Sequence, residues 1–461
     1  MIEDIFSHIP LLSMLSAGGS ESSEIVVQLL IQLAVILFAA KVAGEVTARF
    51  LKLPTVLAEV GIGVVIGPFA LGAIPIPGFG PLFPIPLIDG IPAVIPVSSE
   101  LFALAQIGSI ILLFAIGLET NLRQFLRYAG PATAVALGGV VVPFALGAGA
   151  TMFFGLAGEG GFFSPEALFM GAIMTATSVG ITARVLADLR RLDQPEGVTI
   201  LAAAVVDDVL GILVLTVVVG ANATGSFSVG NVGVVAVKAI GFWLGLTAVG
   251  IWTAPYIERL VNRFRTPGAG LVLMLALAFL AAGMAEVAGL AFIIGAFSIG
   301  LALSTTELGH QVEKETAGIS QFLVPVFFVV MGMLVDVGSM LNAVVFGLVL
   351  SVLAILSKLF GCGLPALATG FNLLGSTRIG VGMTPRGEVA LIIAGIGLSQ
   401  GIIGQELFGV SIMMTIITTL IAPIVLIRLF GVGGTGLRRG DSEASLESPA
   451  AASPDSGSPD D

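Results

Sequence analysis

The 461-residue sequence predicts an all-α polytopic membrane protein, and three observations carry that reading. Hydrophobic residues make up 56% of the chain, with 61 glycines, while charged residues fall to 11%, against roughly 25% in soluble domains. A mean hydropathy of +1.08 leaves too little polar surface to solvate a globule of this size, so most of the chain needs lipid as its solvent. The apolar stretches run about 18 to 30 residues, the length of spanning helices and not of the alternating strands of an outer-membrane barrel.

Apolar runs bounded by charge or by Gly/Pro clusters place thirteen spans. They cover 24–48, 55–72, 100–118, 129–156, 165–186, 197–220, 229–254, 269–286, 287–304, 319–336, 341–371, 378–400 and 405–431. An odd count sets the termini on opposite sides. Positive residues collect in cytoplasmic loops, and with the N-terminus outside, sixteen of the 19 Lys and Arg residues fall at the cytoplasmic side, Arg378 among them. Lys238 sits near an outer span start, and only Lys358 and Arg386 lie inside spans. This divides the chain into an extracytoplasmic segment (1–23), a membrane domain (24–434) and an acidic cytoplasmic tail (435–461). The tail's Ser, Pro, Asp, Glu and Gly content predicts disorder. Much of the net charge of −11 belongs to such ends and implies no nucleic-acid partner. The Pro-rich stretch 73–99 reads as an outer loop or re-entrant cap, and Gly63 and Gly67 form a small-xxx-small pair for close helix approach.

Cys362 is the single cysteine and His8 and His310 are isolated, so the sequence offers neither a thiolate cluster nor a His-based metal centre. No cofactor and no enzymatic chemistry is expected. The informative residues are charges inside the spans, where a charge is functional by default because the bilayer centre disfavours it by about 3 kcal/mol or more. Asp207 and Asp208 lie in LAAAVVDDVLGILVL, about eleven residues or roughly 16 Å from the inner end of their span. Lys358, in ILSKLFGCGLP, lies roughly 20 Å from the inner end of its own. Adjacent residues on a helix point about 100° apart, so the two carboxylates serve different partners. The expectation is that Asp207 pairs with Lys358, while Asp208 faces a water-filled funnel and alternates between a proton and a cation. Two acids against one base leave a carboxylate for that task, as a proton-coupled transporter needs.

Two interrupted helices support this. MTATSVGITARVL contains Thr177 and Ser178, and GVGMTPRGEVALI contains Pro385, Arg386, Gly387 and Glu388. If spans one to six and eight to thirteen are repeats about a linking seventh, these breaks occupy corresponding positions in inverted halves, the arrangement that marks the substrate site of secondary transporters. Arg386 and Glu388 are expected to close the break as an ion pair.

The sequence resembles the monovalent cation:proton antiporter superfamily, in the branch holding NapA-type sodium/proton antiporters and Kef potassium-efflux proteins. The resemblance covers 24–432 and rests on LPTVLAEVGIGVVIGP (53–68), LAQIGSIILLFAIGLET (104–120), TATSVGITARVL (175–186), AAVVDDVLGILVL (203–215), IIGAFSIGLALS (293–304), PVFFVVMGMLVD (325–336) and MTPRGEVALI (383–392). It implies a 13-helix NapA/NhaA-like fold, a homodimer with an elevator-like core, and exchange of sodium, lithium or potassium for protons across the cell membrane. It implies that Asp208 is the essential sodium- and proton-binding aspartate, that Asp207 partners Lys358 as proton carrier, and that Thr177 and Ser178 lie beside the ion. Electroneutral relatives carry Asn in place of the first acid, so Asp-Asp with Lys resembles the electrogenic pattern of two protons per sodium. Kef proteins add a nucleotide-binding domain, which is not expected here: no βαβ unit follows the GxGxxG at Gly431, Gly433 and Gly436.

Overall fold

In the computed structural model, residues 21–51, 55–77, 79–88, 91–93, 95–224, 229–336, 338 and 344–438 are described, and most are helical. The first half comprises α1 (Glu21–Val46), α2 (Thr55–Ile66), α3 (Ser99–Glu119), a short α4 (Leu122–Arg127), α5 (Ala129–Phe153), α6 (Pro165–Thr175), α7 (Val179–Asp188) and α8 (Pro195–Thr224). The second comprises α9 (Val229–Val261), α10 (Ala269–Val287), α11 (Phe292–Leu303), α12 (Glu307–Met333), α13 (Val344–Ala368), α14 (Leu373–Gly382), α15 (Glu388–Ser399) and α16 (Gln405–Gly431). Among the described residues eleven helices are long and apolar enough to cross a membrane, α6 and α7 counting as one; Phe292–Leu303 and Val389–Leu398 are shorter apolar helices. Large apolar side chains such as Phe38, Phe153 and Trp252 point outward, as lipid-facing surfaces require.

Several boundaries move from the sequence reading for local reasons. α12 starts at Glu307 instead of 319 because the Thr306 side chain caps the helix by accepting from Gly309 N. The stretch 287–304 becomes helical only at Phe292, since Ala288 and Gly289 (φ +83°) close the end of α10. The segment after α2 forms two antiparallel ribbons, β1 (Pro75–Ile76) with β2 (Gly80–Pro81) and β3 (Leu87–Ile88) with β4 (Ile91–Pro92). Gln32 on α1 donates to the Leu82 carbonyl and holds this segment against the bundle.

Helices approach closely at glycines. A Cβ on Gly63 would lie 2.1 Å from the Val329 carbonyl oxygen, and one on Gly138 2.0 Å from that of Gly361. These pairs seat α2 on α12 and α5 on α13, and the second brings Lys358 toward α8. One buried cluster joins α6, α8, α13, α15 and α16, and another joins α3 with α9 through α12.

The expected start of the tail, at 435, falls within the described residues. Residues 432–438 fold back as a strap: Asn372 donates its side-chain amide to the Thr435 and Leu437 carbonyls and its backbone N–H to that of Gly436. Gly433 and Gly434 take positive φ (+74° and +82°), and a Cβ on Gly436 would meet the Glu196 carboxylate at 2.1 Å. The glycines of the GxGxxG stretch serve this turn. Residues 1–20 and 439–461, which hold most of the two terminal segments, lie outside the described residues. Arg378 is a buried side chain, not a surface anchor; its guanidinium meets Glu196 at 2.7 Å.

Candidate ion-binding site

Two chain breaks meet in mid-bundle. α6 ends at Thr175, and Ala176 and Ser178 are extended before α7 begins at Val179. α14 ends at Gly382, and Pro385, which lacks an N–H and disfavours a helical residue before it, separates it from α15. The breaks bond to each other. Ser178 N donates to the Pro385 carbonyl at 2.7 Å, the Thr177 hydroxyl to that of Met383 at 3.3 Å, and the Thr182 hydroxyl to that of Gly382 at 2.6 Å. Such crossings leave helix-end carbonyls without intrahelical donors.

Arg386 is wholly buried and answers that need. It donates to the Met174 carbonyl at 2.7 Å and to the Thr384 carbonyl at 3.0 Å, while the Thr419 hydroxyl donates to its own carbonyl. Its positive charge thus sits where the negative ends of α6 and α14 converge. Arg386 thus bonds backbone carbonyls; the expected Arg386–Glu388 ion pair falls on a side chain outside the described residues.

The carboxylate pair lies beside this crossing on α8. Lys358 donates to both Asp207 oxygens, at 3.2 and 3.3 Å, with both side chains buried. Gly139 on α5 makes room for the pair: a Cβ there would stand 2.6 Å from Cys362 Sγ, 3.5 Å from Lys358 Nζ and 3.8 Å from Asp207 Oδ1. Asp207 and Asp208 line a cavity of about 390 Å³, together with Ala176, residues of α8 and α15, and residues of α3, α10 and α11. An ion entering this cavity reaches carboxylate oxygens near the backbone of the first break.

The family profile described as "Sodium/hydrogen exchanger, transmembrane" matches residues 2–431. The chain belongs to this family. It is an integral, multi-pass membrane protein. The exchanger is 38% identical over 442 residues to the high-affinity Na(+)/H(+) antiporter NhaS3 of Synechocystis sp., covering 90% of this chain and 93% of that one. It is 37% identical over 402 residues to the Na(+)/H(+)-K(+) antiporter GerN of Bacillus cereus, covering 87% and 96%. The solved structure of the sodium proton antiporter MjNhaP1 from Methanocaldococcus jannaschii shares its fold, with a TM-score of 0.63 at 19% identity over 89% of this chain and 98% of that one.

The exchanger brings together Asp207, Asp208, Thr177, Ser178, Lys358, Pro385 and Arg386, residues drawn from four separate stretches of sequence. Sequence reasoning missed Thr384 and Thr419, whose hydroxyls bond backbone carbonyls around the crossing. It also missed Gly139 and Cys362. The repeated small residues in LGGVVVP and LFGCGLP were the available signal, and they became informative only once α5 and α13 were known to touch.

Proposed function

We propose that this exchanger is a secondary sodium/proton antiporter in which Asp208 holds sodium and protons in turn. Asp207 and Lys358 form the coupled partner. When sodium arrives, Asp207 turns toward it and Lys358 gives up its proton; when sodium leaves, Asp208 and Lys358 are both protonated again. Two protons then move per sodium, one net charge crosses in each cycle, and exchange is electrogenic. The observation that carries this reading is the buried Lys358–Asp207 contact at 3.2 Å beside a cavity that Asp208 also lines. The crossed breaks support a reading with thirteen crossings, two inverted six-helix repeats, and a core that moves as an elevator within a homodimer. In this reading the N-terminus is outside and the C-terminus cytoplasmic, in the cell membrane. The lining of the cavity by helices of two different buried clusters supports relative sliding.

The test uses proteoliposomes with a lumenal pH dye. Sodium is added with and without a valinomycin potential clamp, to the parent and to Asp208→Asn. The parent is expected to move protons in response to sodium and to charge the membrane; Asp208→Asn is expected to lose at least about 100-fold in rate, as expected when the group exchanging proton and ion is removed. Full exchange by Asp208→Asn would remove the assignment, and exchange indifferent to the clamp would remove the two-proton stoichiometry. Potassium/proton exchange is the second reading, favoured by the name of the Bacillus cereus relative; substituting potassium or lithium for sodium in the same assay separates the ions.

A further inference from the structure

The cavity that reaches the aspartate pair has a third carboxylate on its wall, Glu286 in the last turn of α10. All three charged residues lining this cavity, Asp207, Asp208 and Glu286, are acidic, the pair reaching it from α8 and Glu286 from α10. Its position is costly by the ordinary rules of helix ends. The last turn of a helix is its negative end and favours Lys, Arg or His, yet Glu286 sits there with an exposed side chain that makes no ion pair or hydrogen bond among the described residues. The helix ends immediately after it through the Gly289 N–H donating to the Glu286 carbonyl at 2.9 Å and the Leu290 N–H donating to that of Ala285 at 2.8 Å. Carboxylate and helix end therefore add to one negative potential, and the rest of the wall is mainly apolar: Phe102, Ile212, Leu215 and Phe292 are among its residues. Low-dielectric walls focus such a field and raise the local cation concentration.

We propose that Glu286 is an affinity-determining residue that gathers cations at the mouth of this cavity and hands them to the aspartate pair, setting the apparent sodium affinity on the side where the cavity opens. It exchanges no proton in the cycle and has no role once sodium is bound. This rests on the sodium/proton reading of the Asp208 site. A rounded cavity of 390 Å³ is roughly 9 Å across; over about that distance, with an effective dielectric near 40, one unit charge changes local cation occupancy roughly fivefold.

The experiment measures apparent KM for sodium and maximal rate in proteoliposomes, with sodium supplied on each face in turn, for the parent, Glu286→Gln, Glu286→Asp and Glu286→Lys. At low ionic strength Glu286→Gln is expected to raise KM about two- to fivefold on one face only, with the maximal rate kept; Glu286→Lys raises it further and Glu286→Asp restores it. Raising ionic strength to about 1 M with choline chloride, where the Debye length is near 3 Å, should erase the difference. An unchanged KM at low ionic strength, an equal change on both faces, or a change that survives choline chloride overturns the proposal. If instead the parent itself shows no sodium-driven proton flux, the antiport reading fails, and that result is distinct from an active parent with an indifferent Glu286→Gln.

Discussion

Helix α8 carries two buried acid–base pairs about eleven residues apart, and they are built in opposite ways. Glu196, in its first turn, meets Arg378 at 2.7 Å. The same guanidinium donates to the Leu429 carbonyl from two nitrogens and to the carbonyls of Gly433 and Gly434, and it lies 4.7 Å over the Phe430 ring. Asp207, near mid-helix, meets Lys358 at 3.2 Å, and that ammonium, with three protons to give, finds only Asp207 among the described residues. A charge-assisted N–H···O bond normally runs about 2.7–2.9 Å. The first pair is saturated and fixed to a backbone strap; the second is long, under-satisfied and beside a cavity. Burial is common to both pairs; under the proposed mechanism, what sets them apart is the number and kind of partners the two cations find.

Removing the fixed base is the strongest way to test that contrast. Arg378→Ala leaves Glu196 buried without its cation and four carbonyl contacts without a donor, and breaking such a pair costs about 3–5 kcal/mol. A large fall in melting temperature, or failure to recover folded protein from detergent, is the expected result. Glu196→Gln should cost less, since the amide still accepts from Arg378. Thermal unfolding followed by size-exclusion recovery measures both, and an Arg378→Ala protein as stable as the parent would end the claim that this pair holds the bundle.

A smaller effect should follow from shortening the strap. Ending the chain after Gly431 removes the Gly433 and Gly434 carbonyls from Arg378 and those of Thr435, Gly436 and Leu437 from Asn372. The Glu196 contact survives, so the loss is expected to be about 1–3 kcal/mol, a few net hydrogen bonds. Ending it after Arg438 leaves all of these in place and should leave the melting temperature unchanged. Equal melting temperatures for the two truncations would show that the strap contributes nothing.

The contrast also explains what was legible in the sequence. Asp207, Asp208 and Lys358 stand out because each interrupts an apolar run, where a charge has no solvating alternative. Thr177, Ser178 and Pro385 were legible as helix interruptions. Arg378 and Glu286 were not, because both lie near span ends, where a charge is ordinarily solvated and its burial or its cavity is decided by another helix. Residues 435–438 read as the start of a tail because their composition continues into a Ser-, Gly- and acid-rich stretch; the partners that order the strap, Asn372 and Arg378, lie about 60 residues earlier. Arg386 stands out in the sequence as a charge beside a proline, but the partners it finds are backbone carbonyls, which no side-chain pattern encodes.

The smallest effect on stability, and the most telling one on function, is expected from Lys358→Ala. By the ordinary cost of breaking a buried pair it should resemble Arg378→Ala, at about 3–5 kcal/mol. It should fall well short of that, because Asp207 lines the cavity and can be hydrated when the lysine is gone, an escape that Glu196, packed under the strap, does not have. A loss nearer 1 kcal/mol is expected, the worth of an ordinary hydrogen bond. The transport consequence runs the other way. Without Lys358 one proton site disappears, so the remaining exchange should carry one proton per sodium and lose its response to membrane potential while Asp208 continues to bind both ions. Measuring melting temperature and clamp dependence on the same preparation joins the two halves. A variant as crippled in folding as Arg378→Ala would show that both pairs are structural, and one that still charges the membrane would place the second proton on some other group.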